Sequence, residues 1–481
     1  MKKKNSLFWF RRDLRLQDNA GLYHALNGSD SVACIFVLDT NILSELGKYD
    51  TRVDFLWHCL NNLKEELRSL GSDLIVVQGD PKDVVPNLAK KYKVSTVYCN
   101  EDYEPKARQR DKTVSDLLKT KNIAFFALKD QAIFAKDEVL TAQNRPYSVY
   151  THYANAWKKK FSMAEIAEYE CELSFDKLAQ FATQDLPSLK KIGFEETFVS
   201  KTKIGFSHAQ AVKLLDSFIS KRIKQYKKAR DFPSVGGVSY LSVHNRFGTL
   251  SIRELFRAAL KVRTKDAEVK ENIDTWISEL IWRDFYFQIL YNFPRVAYEP
   301  FNNEYKDFPW ENDMEKFQKW CEGETGYPIV DAAMKQLNQT GYMHNRLRMV
   351  TASFLTKHLL VDYRLGEQYF AAKLLDYDLS ANNGGWQWAA STGCDAQPYF
   401  RVFNPTLQSE KFDPQAKFIK KMLPFLEDVD PKYLHNPSEY VDELANVGII
   451  LGEDYPMPIV NHKEARQHTL DLFKEYISNK L

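Results

Sequence analysis

The sequence has few of the features that mark a thiolate metal site, a disulfide framework or a membrane span. Its 6 cysteines are scattered and never form a C-x-x-C pair, which argues against thiolate zinc ligation and is typical of a reducing compartment. The 10 histidines never stand at ligand spacing with cysteine or carboxylate side chains, so the sequence predicts no metal site. The longest apolar runs, such as residues 32–38, fall far short of the roughly 20 residues that span a membrane.

An excess of charge of one sign is also missing. Lys and Arg number 66 against 64 Asp and Glu, a formal net charge of +2, so no global field draws the chain to nucleic acid or to a membrane. Any site for a polyanion must therefore be a local patch. The basic residues 1–4 precede strand-like sequence with no secretory hydrophobic segment. These features predict a cytoplasmic protein that binds no membrane.

Aromatic residues are abundant in an otherwise ordinary globular composition. Of the 481 residues, 44% are hydrophobic and 27% charged, which excludes a disordered or collagen-like chain and allows about two to four domains. The chain has 9 Trp, 25 Tyr and 31 Phe. Because tryptophan in this number is an unusual choice for core alone, some of these rings are candidates for a functional site.

Residues 1–130 alternate strand and helix patterns. Five short apolar runs are of the kind that a parallel sheet buries on both faces: residues 7–10, 32–38, 74–77, 96–99 and 123–128. Between them, residues 53–70 repeat apolar side chains at three- and four-residue steps, as an amphipathic helix does. The alternation predicts a doubly wound α/β domain with a parallel sheet. No G-x-G-x-x-G motif follows the first strand, so a dinucleotide fingerprint is not supported.

The rest of the chain changes character. Residues 131–205 have mixed charge and isolated aromatics, and we interpret them as an irregular interdomain linker. From about residue 206, strand patterns give way to helical stripes such as Ile252, Leu255, Phe256 and Ala259. Residues 206–481 are therefore predicted to form a large all-α domain.

A periodic segment over residues 273–292 carries the first candidate site residues. Glu279 and Trp282 are three apart and share a helix face, and Arg283 lies four residues beyond Glu279. Taken alone, an intrahelical Glu–Arg pair beneath a packed Trp is the simpler interpretation.

Two further segments combine polar groups with aromatic or soft side chains. An amide, two cations and a thioether lie close together at Asn345, Arg346, Arg348 and Met349. Residues 382–388 place two Trp beside two Gly. In a helix, Trp386 and Trp388 would point roughly 160° apart, so one could touch an internal cofactor while the other lines a cavity. Core filling is the alternative interpretation.

A basic run precedes a Gly/Ser turn. Residues 221–230 hold six cations and no anion, which is as often a solvated helix face as a phosphate site. Gly236, Gly237 and the serines of segment 239–242 follow. A turn with backbone N–H groups and hydroxyls suits a diphosphate, and the combination would suit a flavin enzyme that acts on DNA.

These residues carry a family resemblance. The chain resembles the photolyase/cryptochrome family along nearly its whole length, and most closely the class I cyclobutane pyrimidine dimer (CPD) DNA photolyases. The resemblance rests on residues 7–15, 279–283, 325–334, 343–349 and 382–388. It implies an N-terminal antenna domain over residues 1–130 and a helical domain over residues 206–481 that holds FAD in a folded-back shape.

The resemblance also implies which residues bind FAD. Those around the phosphates and ribityl chain would be Tyr226, Val238, Ser239, Tyr240, Leu241 and Ser242. Those around the isoalloxazine and adenine ends would be Trp276, Arg283, Asn345, Arg348, Asp376, Asp378 and Asn382. Asn382 matches the family residue beside flavin N5, and an Arg348–Asp376 pair would place fixed charge near the ring.

The implied reaction uses light to split a pyrimidine dimer. Reduced, anionic FAD absorbs blue or near-UV light, donates an electron to a CPD that has left the base stack, and receives the electron back. The catalytic pocket would consist of Glu279, Trp282, Asn345, Met349 and Trp388. The residues that hold the DNA around the lesion would be Arg230, Glu279, Trp282, Asn345, Arg346, Arg401, Gln408 and Lys411. The expected partner is UV-damaged DNA, bound by a monomer at the bacterial nucleoid.

The sequence departs from the family pattern at three places. In the light-driven reduction chain, Trp386 and Trp310 match the first and last members, but Tyr363 stands at the middle position. We expect slow photoreduction, or diversion through Trp320, with intact repair once the flavin is reduced. Val238 stands where the phosphate loop commonly has Thr. Residues 103–107 lack the Asn-Glu pair of folate-binding relatives, so a folate, a deazaflavin, a second flavin or an empty antenna site all stay open.

Three alternatives compete with CPD repair. A cryptochrome-type blue-light receptor is disfavoured by the repair-pocket residues and by the lack of a long disordered tail before Leu481. A (6-4) photoproduct lyase would need a His pair, whereas Asn345 and Met349 follow a single His344. A flavin-binding protein that recognises damage without turnover is the third alternative.

Overall fold

The computed structural model describes residues 4–480 and divides the chain into two compact units. The sheet unit comprises the chain up to Lys224 together with Ser239–Pro294, and the helical unit comprises Gln225–Val238 and the chain from Arg295 onward. Of the basic run at residues 1–4, only Lys4 lies within the described residues. The domain limits at residues 130 and 205 stay a prediction.

A five-stranded parallel sheet lies in the sheet unit, in the order β3-β2-β1-β4-β5. Its strands are β1 (Asn5–Phe10), β2 (Ser31–Asp39), β3 (Leu74–Gly79), β4 (Thr96–Asn100) and β5 (Ala124–Leu128). Central β1 pairs Leu7 with Ala33 on one side and with Val97 on the other. Because helices cover both faces of such a sheet, β1 and β2 are apolar over most of their length. The doubly wound α/β fold predicted from the apolar runs is confirmed.

The α-helices of the described residues are numbered in chain order. The first ten are α1 (Ala20–Gly28), α2 (Thr40–Leu43), α3 (Thr51–Ser69), α4 (Pro81–Lys91), α5 (Pro105–Lys119), α6 (Tyr150–Lys160), α7 (His208–Lys221), α8 (Tyr226–Ala229), α9 (Ser242–Phe247) and α10 (Ile252–Lys261). The others are α11 (Ala267–Asn292), α12 (Met314–Glu322), α13 (Pro328–Thr340), α14 (Asn345–Lys357), α15 (Tyr363–Lys373), α16 (Leu379–Ala390), α17 (Pro405–Phe412), α18 (Lys417–Met422), α19 (Pro431–His435), α20 (Val441–Asn446) and α21 (His462–Ser478).

Short 3-10 helices connect several of these elements. They are Met163–Ile166, Cys171–Lys177, Lys190–Ile192, Phe198–Lys201, Ile223–Gln225, Pro294–Ala297, Asn303–Tyr305, Pro424–Leu426 and Pro437–Glu439. No strand follows β5 within the described residues, so the predicted helical character of the C-terminal part is confirmed. No described helix combines the length and hydropathy needed to cross a membrane. No cluster of three or more potential metal ligands occurs among the described residues.

The segment interpreted as a linker contains structure of its own. Residues 131–205 include α6 and four of the 3-10 helices. The buried carboxylate of Asp284, on α11, accepts hydrogen bonds from the backbone N–H groups of Ile133 and Phe134 and from Trp157 Nε1, at 3.1–3.2 Å. Burial raises the pKa of Asp284 to about 6. One acidic side chain thus holds both the start of this segment and α6 against α11.

Buried ion pairs explain why residues 239–294 belong to the sheet unit. Arg15 follows β1 and pairs with Asp130 at 2.7 Å. Arg253, on α10, reaches the same Asp130 and also Asp18, both at 2.8 Å. Because removing one partner of a buried pair leaves an uncompensated charge, these contacts bind the helices of residues 239–294 to the sheet.

The helical unit has its own apolar core. Trp320, Met334, Phe354 and Trp386 belong to one buried cluster, to which α12, α13, α14 and α16 contribute. Asp331, buried in the first turn of α13, accepts hydrogen bonds from the backbone N–H of Thr325 and Gly326 at 2.8 and 3.1 Å. This core supports α14 and α16, the two helices of this unit with the most predicted site residues.

Candidate active site

The predicted site residues are divided between the two units. The sheet unit contributes Ser239, Tyr240, Leu241, Ser242, Trp276, Glu279, Trp282 and Arg283. The helical unit contributes Tyr226, Arg230, Trp310, Asn345, Arg346, Arg348, Met349, Tyr363, Asp376, Asp378, Asn382, Trp386, Trp388, Arg401, Gln408 and Lys411, together with Val238. Their assignment to roles rests on the family pattern and stays a prediction.

Helix α11 places three predicted residues on neighbouring turns. It begins after Asp266, whose carboxylate accepts a hydrogen bond from Val269 N at 2.9 Å, a favourable N-cap. Trp276 is 3% exposed and packs against Phe218 with ring centroids 5.1 Å apart. Glu279 and Trp282, one turn further on, are partly exposed. The helix therefore buries one candidate ring and leaves the carboxylate and the second ring accessible.

A tyrosine that sequence reasoning missed covers Trp282. The ring of Tyr150 stacks on the indole with a centroid separation of 3.6 Å and an interplanar angle of 7°. Its hydroxyl donates to the carbonyl oxygen of Ser278 at 2.9 Å. Tyr150 lies on α6, far from Trp282 in sequence, and no local pattern could have paired the two residues.

Arg283 is held by backbone oxygens. Its guanidinium donates to the carbonyl oxygens of Gln131 and of Asn245, the latter at 3.3 Å, and lies 4.5 Å from the centroid of the Phe287 ring. These contacts fix the guanidinium on the same helix that carries Glu279. Its predicted contact with the flavin stays a prediction.

The turn at residues 239–242 has an unusual backbone conformation. Tyr240 has φ +60°, in the left-handed region that non-glycine residues rarely adopt. Leu241 is buried, while Tyr240 and Ser242 are exposed. Arg222 lies 5.7 Å from the centroid of the Tyr240 ring. The turn therefore exposes a hydroxyl and a cation–aromatic pair beside the basic run that the sequence singled out.

In the helical unit, residues 226–238 form a tight loop. Tyr226 is buried, and Arg230 lies 5.9 Å from its ring centroid. A Cβ atom at Gly237 would come within 2.7 Å of the Ala229 carbonyl oxygen, so this approach of two backbone segments requires glycine. Val238 follows directly and offers no hydroxyl.

An arginine–aspartate pair lies between α14 and the start of α16. Arg348 donates to both carboxylate oxygens of Asp376, at 2.8 and 3.0 Å, and to the carbonyl oxygen of Met343 at 2.8 Å. Asp376 is buried. Asp378 caps α16 and accepts a hydrogen bond from Ser380 N at 3.1 Å. The predicted Arg348–Asp376 pair is thus present, whereas Asp378 has a helix-capping role as well.

The amide of Asn382 is oriented by its neighbours. Its Nδ2 donates to the carbonyl oxygen of Glu367 at 3.0 Å, so its Oδ1 stays available as an acceptor. The Glu367 carboxyl accepts from Asn383 Nδ2 at 3.1 Å, and burial raises the pKa of Glu367 to about 7. The oxygen of a half-buried amide with a fixed orientation can accept a hydrogen bond from a ring N–H group.

Arg346 and Met349 belong to the first turns of α14. Arg346 pairs with Asp231 at 2.9 Å and lies 4.3 Å from the centroid of the Phe412 ring. Asn345 is exposed and Met349 is partly buried. His344 caps the helix, accepting from Arg346 N at 3.2 Å, and burial lowers the pKa of His344 to about 4. His344 is therefore a neutral capping group at neutral pH.

The last pocket candidate, Trp388, and the remaining DNA-binding candidates lie at or after the end of α16. Trp388 is partly exposed and packs edge-on against Phe403, with centroids 6.4 Å apart. Arg401 and Lys411 are exposed, and Gln408 is partly buried. Phe400, beside Arg401, is 59% exposed, and sequence reasoning did not single it out.

The predicted electron-transfer residues all lie in the helical unit. Trp386 is 2% exposed, with the Phe370 ring 5.0 Å and the Trp320 ring 6.0 Å from its own. Tyr363 is buried, and no hydrogen-bond partner for its hydroxyl occurs within the described part of the chain. Trp310 is partly exposed and packs on Phe308 at 4.6 Å.

The residues present fit FAD. The helical unit supplies a pair of a partly exposed cation, Arg348, and a buried carboxylate, Asp376, and an amide with a directed carbonyl oxygen. Such groups match the polar edge of an isoalloxazine ring. Within the sheet unit, the turn around Tyr240 exposes hydroxyl groups, and Trp276 is a buried aromatic ring. These donor and acceptor types are those that a dinucleotide with a diphosphate requires.

Comparison with known proteins assigns the class. Residues 276–475 match the family model described as the FAD binding domain of DNA photolyase, and residues 6–172 match the model described as DNA photolyase. The chain is 40% identical to the deoxyribodipyrimidine photo-lyase of Synechococcus sp., over 98% of this chain and 96% of that protein. It is 37% identical to the Escherichia coli enzyme of the same name, over 97% and 98% respectively.

Solved structures agree with these relatives. A bacterial class III photolyase from Agrobacterium tumefaciens superposes with a TM-score of 0.91 at 32% identity, over 99% of this chain and 98% of that chain. An archaeal photolyase from Sulfolobus tokodaii with two FAD molecules gives 0.81 at 34% identity, over 98% and 100%. A Synechocystis cryptochrome gives 0.87 at 27% identity, over the same shares.

The fold and the matched domains thus define a flavin-dependent DNA-repair enzyme. The chain belongs to the DNA photolyase family. The resemblance predicted from its motifs is confirmed, as are FAD as cofactor and lyase as enzyme class.

Proposed function

We propose that this enzyme splits cyclobutane pyrimidine dimers in DNA with the energy of blue or near-UV light. The observation that supports this proposal is the presence of the complete repair-pocket set in a family member, namely Glu279, Trp282, Asn345, Met349 and Trp388. Its relatives from Synechococcus and Escherichia coli are named deoxyribodipyrimidine photo-lyase. Reduced, anionic FAD, when bound, would supply the excited electron that opens the cyclobutane ring and then takes it back.

The pocket residues would bind and orient the flipped dimer. Trp282 and Trp388 are partly exposed indoles, suited to be apolar walls for pyrimidine rings. Met349 would fill the remaining side with an adaptable thioether. The partly exposed carboxyl of Glu279 would share hydrogen bonds with a pyrimidine edge and steady the charge that develops there.

Charged and amide side chains of the helical unit would hold the DNA backbone around the lesion. They are Arg230, Arg346, Arg401, Gln408 and Lys411. Such contacts fix the register of the duplex without reading its sequence, which fits a lesion that occurs in any sequence context. We place this activity at the cytoplasmic nucleoid, with the protein bound to damaged DNA as a monomer.

The predicted cofactor residues divide into those for the phosphates, ribityl chain and adenine and those for the isoalloxazine ring. Tyr226, the segment 238–242 and Asp378 would bind the phosphates, ribityl chain and adenine end. Trp276, Arg283 and Asn345 would line the ring system beside Arg348 and Asp376. Asn382 would direct its carbonyl oxygen to flavin N5. The antenna chromophore stays open between folate, deazaflavin and flavin; the Sulfolobus relative contains two FAD molecules.

A cryptochrome-type photoreceptor is the second candidate. A Synechocystis cryptochrome shares the fold, so the fold alone does not separate repair from signalling. The repair-pocket set favours repair. A (6-4) photoproduct lyase is disfavoured because His344 caps α14 as a neutral side chain and Asn345 and Met349 stand where a second pocket histidine would be needed.

Repair of UV-irradiated oligo(dT) separates these functions. Chemically reduced protein is mixed with the irradiated oligonucleotide under blue light, and thymine absorbance is followed. CPD repair predicts recovery that requires light and reduced flavin, and a strong loss of recovery in Glu279→Ala at unchanged flavin content. If the flavin-loaded, reduced parent protein gave no recovery, CPD repair would be excluded and the protein would be a receptor or a damage-recognition protein.

A further inference from the structure

Tyr150 and Trp282 form a face-to-face aromatic pair in the sheet unit. Their ring planes differ by only 7° and their centroids are 3.6 Å apart. One face of the Trp282 indole is therefore covered by a protein ring. A ligand can reach the indole only by its other face or by its edge.

The phenol of Tyr150 fixes the turn of α11 that ends at Trp282. Its hydroxyl donates to the carbonyl oxygen of Ser278 at 2.9 Å. In an α-helix that same oxygen accepts the N–H of the residue four positions later, which is Trp282. One tyrosine thus holds both the side-chain plane and the backbone turn of this tryptophan.

Helix α6 presents Tyr150 from a rigid support. Tyr150 is the first residue of α6. Further along α6, Tyr153 packs on Phe285 with centroids 5.4 Å apart, and Trp157 Nε1 donates to Asp284 at 3.1 Å. The edge of Phe285 also meets the rings of Tyr150 and Trp282, at 5.8 and 5.6 Å. Because α6 is anchored at three points on α11, Tyr150 cannot swing away without disturbing this packing.

We infer that Tyr150 is a positioning residue for damage recognition, which holds the Trp282 indole in one orientation so that a single face and edge meet the flipped pyrimidine pair. The inference rests on the proposed function, in which Trp282 is a wall of the dimer pocket. A pre-oriented ring loses less conformational freedom on binding, and this increases affinity. Undamaged DNA has no dimer to flip out, so its affinity should not depend on the orientation of the Trp282 indole.

Substitution of Tyr150 tests the inference. Tyr150→Leu removes the stacked ring, and Tyr150→Phe keeps the ring but removes the hydroxyl. Tyr147→Leu is the matched control, because the Tyr147 ring packs on Tyr153 at 6.4 Å in the segment directly before α6. Dissociation constants are measured for a duplex with one CPD and for the same duplex without damage.

We expect Tyr150→Leu to raise the dissociation constant for the damaged duplex about fivefold, which corresponds to the ~1 kcal/mol that one aromatic pair contributes. Binding of the undamaged duplex should change less than about twofold on the same scale. Tyr150→Phe should restore most of the damage preference. Tyr147→Leu should keep it, whatever its effect on thermal stability.

Tryptophan fluorescence gives a second readout without DNA. The contribution of Trp282 is the difference between a protein and its Trp282→Phe variant. In Tyr150→Leu the emission maximum of this difference spectrum should shift to longer wavelength, and acrylamide should quench the Trp282 emission more strongly. Tyr147→Leu should leave both the emission maximum and the quenching unchanged.

Three results would overturn the inference. The first is an unchanged damage preference in Tyr150→Leu while the parent discriminates, and the second is an equal loss of affinity for both duplexes. The third is parent protein that binds both duplexes equally, which would overturn the proposed function as well; the unchanged preference alone would leave the proposed function standing.

Discussion

Among single residues, Tyr363 stands at the position between Trp386 and Trp310 where the family pattern usually has a tryptophan. Its ring is 2% exposed, and no side chain or backbone group of the described residues accepts its hydroxyl proton. Burial raises the pKa of Tyr363 above its usual value. A phenol normally loses its proton when it loses an electron, so this environment makes Tyr363 a poor electron relay.

We expect Tyr363→Trp to accelerate the photoreduction of oxidised flavin by an order of magnitude or more, because an indole can be oxidised without giving up a proton. The rate is followed as loss of oxidised-flavin absorbance under blue light with a thiol reductant. Tyr363→Phe is the control and should be as slow as the parent. A Tyr363→Phe variant much slower than the parent would show that the tyrosine does carry the electron.

The diverted route through Trp320 stays a prediction. The Trp320 ring is fully buried and lies 6.0 Å from that of Trp386, a neighbour that sequence spacing cannot reveal because the two residues lie on different helices. The different surroundings of Trp386 and Trp388 were predictable, since residues two apart in a helix face different neighbours. Local periodicity therefore predicts which way a ring points, whereas its partner depends on tertiary packing.

At the scale of elements, Glu367 links α15 to α16. Its carboxyl accepts the Asn383 amide, its backbone oxygen accepts the Asn382 amide, and burial raises its pKa from 4.5 to about 7. Between these two values the folded protein binds a proton that the unfolded chain does not. The contribution of Glu367 to stability is therefore present below about pH 4.5 and is lost as the pH rises through about 7.

We expect Glu367→Gln to remove this pH dependence. The difference in free energy of unfolding between the variant and the parent should shift in favour of the variant by up to about 3 kcal/mol between low and high pH in this window. Urea denaturation at the two pH values measures it. Glu475→Gln, at an exposed position of α21, is the control and should show no such shift. If the free energy of unfolding of Glu367→Gln depended on pH as that of the parent does, the Glu367 carboxyl would be ionised throughout this pH range.

Helix α14 carries a cation that is already paired. Arg346 contacts Asp231 and the Phe412 ring, yet both side chains of the ion pair remain partly exposed, at 17% and 33%. A pair of this exposure contributes little stability by itself, so the guanidinium can exchange its carboxylate for a phosphate.

Arg346→Ala should weaken binding of damaged DNA by on the order of tenfold and reduce the slope of log affinity against log salt by about 1. Binding is titrated across a salt series. Asp231→Asn breaks the same ion pair but keeps the cation, and it should leave the slope unchanged. An unaltered slope in Arg346→Ala would remove this residue from the DNA-binding surface.

The strands and the long helices were predictable from sequence, and α6 was not. Each of the five apolar runs became a strand of the parallel sheet. Burial on both faces explains the continuous apolar signature of β1 and β2, whereas the edge strand β5 is largely exposed. In α6 only Tyr153, Ala154 and Trp157 are buried, and the helix ends in three consecutive lysines. Because its buried residues span only about one and a half helical turns and its end is charged, the sequence of α6 resembles that of an irregular segment. Tyr150, at the start of α6, was therefore not predicted either.

At the scale of the whole molecule, charge is balanced and function depends on local arrangement. The net charge of +2 gives no general attraction for DNA, so we expect affinity for DNA to depend on local groups of exposed cations, among them the predicted contacts Arg401 and Lys411. The family motifs predicted the class of enzyme correctly. The motifs at residues 279–283, 343–349 and 382–388 place polar and aromatic groups at helical spacing, whereas the motif at residues 7–15 begins in β1. The contacts that orient those groups, such as the stack on Trp282 and the pairing of Arg346, join distant parts of the chain and required the structure.

The fold also protects the cysteines from solvent. All six are free thiols and all six are buried. Burial raises the pKa of the Cys99, Cys171, Cys321 and Cys394 thiols to about 12, and only the thiolate is an effective nucleophile. We expect an aromatic disulfide reagent at mildly alkaline pH to modify fewer than one thiol in the native protein and all 6 after denaturation. Cys394→Ser removes the most exposed thiol, at 8%, and should abolish any residual native reaction. Rapid modification of native Cys394→Ser would show that the fold opens around another cysteine far more readily than its packing implies.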